Sequence, residues 1–114
     1  MSTKVRVHAY TVTYRFGGQT GNDEKYFANI HFRKPSGQPM GVAFFYSDPA
    51  DMPDTDSQNA PGNGIIHCHL PAQHFSAVLD LLRNESPIYL TYDEDKHLAY
   101  ISTSLERVGE GEGE

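Results

Sequence analysis

The 114-residue chain contains one cysteine, Cys68, and no tryptophan. A single thiol cannot close an internal disulfide, so the cross-links that hold many small secreted scaffolds together are excluded. Long apolar runs are also missing. Nowhere do about eighteen consecutive apolar residues occur, and the N-terminal MSTKVRVHAY lacks the apolar stretch of a secretory signal. The expectation is a cytoplasmic protein with no membrane association. Positive charge is scarce: nine Lys and Arg stand against fifteen Asp and Glu, for a net charge of −6, and Arg33-Lys34 is the only adjacent basic pair. Binding a phosphate backbone needs clustered cations, so no nucleic-acid partner is expected. The glycine-rich 17–21 is not followed by Gly-Lys-Ser/Thr, and Gly-x-Ser-x-Gly does not occur, which removes the P-loop and serine-hydrolase signatures. Asp48, Asp51, Asp54 and Asp56 share the segment 47–63 with prolines, without the central glycine and final glutamate of a calcium-binding hand.

What the chain does have is aromatic area, seven tyrosines and six phenylalanines, enough to build one core at a length typical of one domain. That domain is expected over 1–108. The closing GEGEGE, 109–114, has nothing to pack and reads as a disordered acidic tail.

Hydrophobic periodicity divides the chain into strands and one helix. Residues 4–16 form a strand whose apolar face switches near Ala9, which predicts a bend or a change of partner there. Residues 25–33 alternate Tyr26, Ala28, Ile30 and Phe32 against Phe27, Asn29, His31 and Arg33. Residues 40–46 are apolar on both faces and therefore central or covered. The segment 47–63 reads as a long, solvated, irregular loop, and 64–70 as a fourth strand. Phe75, Val78, Leu79 and Leu82 stand at i, i+3, i+4 and i+7, with Pro71 acceptable in a first helical turn and NESP stopping the run. Two strands over 87–93 and 97–108 flank the turn DEDK. The order ββββαββ predicts an α+β fold: a six-stranded, mainly antiparallel curved sheet with one amphipathic helix packed on it. The alternative closure is a small β-barrel with a helix plug.

GIIHCHLPAQH, 64–74, holds three histidines and the cysteine. In a strand His67 and His69 share one face, about 6.5 Å apart, while Cys68 joins Ile66 and Leu70 on the other. Two such imidazoles can converge on a transition metal at about 2.0–2.1 Å each, provided a third ligand arrives. Gly64, His67 and His69 resemble part of the first cupin motif, with Gln73 where that family places its glutamate. HCHLP resembles the histidine-triad nucleotide hydrolase strand at its first two histidines, with Pro71 in the place of the third. Each match lacks the residue on which the family's chemistry depends, and the chain is assigned to neither.

His31 lies with Asn29 on the polar face of the second strand, and Tyr89 with Thr91 on the fifth. If these faces coincide, His31, His67 and His69 form a three-imidazole cluster beside a phenol, suited to zinc, nickel or copper. Two functional readings follow. In the leading one the chain is a small soluble, non-enzymatic binding domain without a cofactor. It meets a protein or small ligand through an uncovered Tyr/His sheet face that includes Tyr89 and Asn29, or through the 47–63 loop. Its strand edges also suit a homo-oligomer. The competing reading is a small, loosely cupin-like metal-dependent enzyme on the half-site His67 and His69. In either case the six histidines charge below about pH 6.5 and offset the acidity.

Overall fold

The computed structural model describes residues 2–14, 26–59 and 64–103. The glycine-rich turn, residues 104–108 of the last expected strand and the acidic tail lie outside the described residues. Strand β1 (Ser2–Val7) and strand β2 (Ala9–Tyr14) are separated by His8 and belong to different sheets. The face switch expected near Ala9 is therefore a change of sheet. Val5 and Val7 pack on the core from one layer and Tyr10 from the other, while the His8 amide ties the crossing point to the Arg33 carbonyl at 2.8 Å.

Strands β3 (Tyr26–Arg33), β4 (Pro39–Tyr46), β5 (Ser57–Gln58) and β6 (Ile66–Pro71) complete a five-stranded sheet of order β2-β3-β4-β6-β5. Strands β7 (Ile88–Asp93) and β8 (Leu98–Thr103) join β1 in a three-stranded sheet of order β1-β7-β8. The α+β class holds, but the expected single six-stranded sheet is corrected to two sheets, and no barrel closes among the described residues. The long segment after β4 explains part of the difference. β4 and β6 run parallel, with Gly41 opposite Ile66 and Phe45 opposite Leu70, and parallel neighbours need a crossover connection rather than a hairpin. Nor is that connection irregular throughout. It contains a 3-10 turn, Pro49–Asp51, capped by the Asp48 carboxylate accepting from the Ala50 amide, and then β5.

Helix α1 (Phe75–Asn84) begins later than its proline suggested. Pro71 is extended (φ −64, ψ 152) and ends β6, and a 3-10 turn, Ala72–His74, leads into the helix. The apolar stripe then packs inward: Phe75 meets Phe45 edge-on at 5.0 Å and Phe27 at 5.9 Å between ring centres, and Val78 is buried in the core. Helix and small sheet together cover one face of the larger sheet, which supplies Ala28, Ile30, Phe32, Ala43, Phe45, Ile66 and Cys68 to the core. At Gly41 a side chain of the small sheet approaches the backbone of the larger one closely. A Cβ there would stand 2.5 Å from Leu90 Cδ2 and 3.1 Å from the Ile66 carbonyl oxygen, so only glycine fits without displacement.

Candidate functional site

The face of the five-stranded sheet turned away from α1 and the small sheet carries the histidines. Register places Thr11, His31, Val42, His67 and Ser57 in one cross-strand row, and Thr13, Asn29, Phe44 and His69 in the next. The expected side assignments within β6 are observed: Cys68 points to the core and the two histidines point away. One assignment in β3 is corrected. A register shift between Tyr26 and Ala28 turns Phe27 inward onto Phe75 and Tyr26 outward onto Phe44, because a bulge adds a residue and reverses the alternation beyond it.

The outer face is knitted by rings. Phe44 stacks on His69 (5.6 Å between centres, 15° between planes), lies 6.0 Å from His67, and receives Tyr26 at 4.7 Å. Tyr46 lies 2.9 Å from His69 Nδ1 through its phenol oxygen. Burial lowers the His69 pKa below the usual histidine value, against the opposing pull of Asp56 and with added repulsion from His67. Burial, then the neighbouring Tyr26, raises the Tyr46 pKa. Both shifts favour the uncharged forms, so one neutral hydrogen bond joins the Tyr46 phenol oxygen to His69 Nδ1.

Beside these rings lies a groove of about 370 Å³, lined by Tyr26, Asn29, His31, Val42, Phe44 and His67 together with the Asn59–Ile65 pairing at its rim. Asn29 is only 7% exposed, and its Oδ1 is buried with no hydrogen-bond partner. A buried polar atom left unpaired costs about 1–3 kcal/mol, and among the described residues this is the one buried side-chain oxygen or nitrogen without a partner.

The sequence-derived residues are only partly brought together. His31 does share the outer face with His67 and His69, but β4 intervenes, separating His31 from His67 by two strand spacings, roughly 9–10 Å. Tyr89 stands in the other sheet, beneath the Lys4 ammonium at 4.7 Å. The phenol near the histidines is Tyr46. Among the described residues no three His, Cys, Asp or Glu side chains are grouped to hold a metal ion. Nor do the described residues include a helix long and apolar enough to cross a membrane.

Two further residues went unrecognised in the sequence. Asp56, one of four loop aspartates, sits between the edges of the two sheets. Its Oδ1 accepts from the His69 amide at 2.9 Å and its Oδ2 from the Ala99 amide at 2.7 Å, while its own amide donates to the His97 carbonyl at 2.9 Å. Those side-chain partners are 13 and 43 residues away, so no local pattern announces them. Phe44 was visible only as part of a strand apolar on both faces. Between the sheets a second hollow of about 160 Å³ is walled by core side chains, among them Phe32, Leu70, Leu90 and Ile101. Cys68 borders it, and burial pushes that thiol's pKa up, which leaves it a small hydrophobe rather than a nucleophile. The chain matches no protein-family model, no curated protein and no solved structure.

Proposed function

We propose that this chain is a binding domain whose contact surface is the outer face of the five-stranded sheet, and that the groove beside Asn29 receives a flat aromatic group carrying an N–H or O–H donor. The observation that carries the proposal is the unpaired Asn29 Oδ1, buried at the edge of a ring-lined groove. A donor placed there pairs the orphaned acceptor, and the rings of Tyr26 and Phe44 offer it stacking area. The outer-face residues of β2, β3, β4 and β6 include no carboxylate, and their other polar groups are hydroxyls, imidazoles and the Arg33 guanidinium. Such a set favours recognition of a neutral ligand over acid–base turnover.

Benzamide provides a minimal probe, and N,N-dimethylbenzamide, of the same ring but without the donor, its control. In amide-detected NMR titrations, benzamide should shift Asn29, Phe44 and His67, and the dimethyl analogue should not. Equal responses to both, or shifts confined to the inter-sheet hollow, would overturn the reading. The same-face pair His67 and His69 supports the competing metal-site reading. A zinc titration separates it: saturable shifts of both imidazoles, lost in His67→Ala, favour the metal over the aromatic ligand.

A further inference from the structure

The two sheets end in four edges, and three of them are protected in recognisable ways. β1 carries the exposed charges Lys4 and Arg6, β5 is two residues long, and the Ala99 amide of β8 is occupied by the Asp56 carboxylate. β2 differs from β1 in carrying no charge, from β5 in its length, and from the equally uncharged β8 in being far more exposed. Its six residues, AYTVTY, include no charge, no proline and no glycine, and five of the six are exposed. It ends the five-stranded order, so the outward half of its backbone N–H and C=O groups has no strand partner among the described residues. Among the described residues four large hydrophobic side chains are exposed: Val12 at 38% and Tyr14 at 55% on this strand, and Leu98 and Tyr100 on β8.

We infer that β2 is a homodimer edge, pairing antiparallel with β2 of a second copy to continue the five-stranded sheet across a two-fold axis. The occupant is argued from self-complementarity. An antiparallel pair about a two-fold axis sets each residue against the one equally far from the axis on the other copy, so a strand whose charges share one sign repels itself. β1, with Lys4 and Arg6, is such a strand. β2 meets itself with threonine hydroxyls on one face and Tyr10, Val12 and Tyr14 on the other, all of high strand propensity. Pairing also covers Val12 and Tyr14, the latter already capping the Phe27 and Phe75 rings at 5.3 and 5.9 Å. The inference is independent of the ligand groove, because β2 contributes no residue to that groove's lining.

The test is sedimentation velocity on the full chain from low micromolar to near-millimolar concentration, for the native protein and for Thr11→Lys. Thr11 is exposed, so the substitution leaves the fold intact. The native protein should dimerise within that range, and Thr11→Lys should raise the dissociation constant by about tenfold or more, the loss of roughly 1.4 kcal/mol. Hydrogen exchange of the native chain adds a readout that needs no variant: amides of 10–13 should be protected more strongly as concentration rises. A chain monomeric throughout, a dimer indifferent to Thr11→Lys, or β2 exchange independent of concentration would each overturn the inference.

Discussion

Phe44 and Phe45 are neighbours on β4 and point into two different chemistries. Phe45 is 0% exposed within the apolar core, edge-on to Phe75 of α1. Phe44 is half-buried among histidine, tyrosine and asparagine, and its surroundings are rings with polar ends. Both faces of the sheet thus use aromatic area, but among the described residues only the inner one is covered by other elements. The outer face retains an unpaired acceptor, a lowered histidine pKa and a groove. The buried apolar contacts are concentrated on the inner face, and the proposed binding surface is the outer one.

The largest expected effect comes from the same substitution on both faces. Phe45→Ala should lower unfolding free energy by about 3–5 kcal/mol, since it empties a fully enclosed site. Phe44→Ala should cost only about 1–2 kcal/mol and instead remove the benzamide response. Urea unfolding of the two variants measures both, and equal losses would erase the distinction between the faces.

Next is the clamp between the sheets. Asp56→Ala leaves the His69 and Ala99 amides without their acceptor and should cost about 2–3 kcal/mol. Hydrogen exchange should quicken at those two amides first, and unchanged protection there would remove Asp56 from the account. A smaller effect of opposite sign is expected at Asn29. Asn29→Leu removes the unpaired amide oxygen while keeping a side chain of similar size and should stabilise the protein by about 1 kcal/mol, read as a higher urea midpoint.

The smallest effect is on pH dependence. Burial depresses the His69 pKa below its ordinary 6.5, so the unfolded chain takes up this proton more readily than the folded one. The contribution is fully present above about pH 6.5 and is lost as pH falls through the lower folded value. His69→Gln should therefore flatten the decline in melting temperature on the acid side of that point. A decline of identical slope in native and variant proteins would assign it to other groups.

These contrasts also explain which parts of the molecule can be read from the residues alone. Side-chain alternation was legible: the opposed directions of Cys68 and the two histidines, the shared side of Asn29 and His31, and the change of partner between Val7 and Ala9 all follow from period two. Strand order was not, because local patterning does not say that β6 pairs parallel with β4 or that β1 leaves for a second layer. Strand order places Phe44 between His31 and the histidine pair and moves Tyr89 to the other sheet. The bulge at Tyr26 was equally hidden, since one inserted residue leaves the composition of a strand unchanged. Asp56 illustrates the same limit, its role being set by amides distant in sequence.

The most direct test of the central claim, that the outer face is built to bind, is the benzamide titration repeated on Asn29→Leu. If Asn29 Oδ1 is the acceptor kept for a ligand, the variant loses the benzamide shifts at Phe44 and His67 while retaining the native dispersion of its amide spectrum. A variant that binds benzamide as well as the native chain would contradict the account, leaving the orphaned oxygen a feature of packing alone.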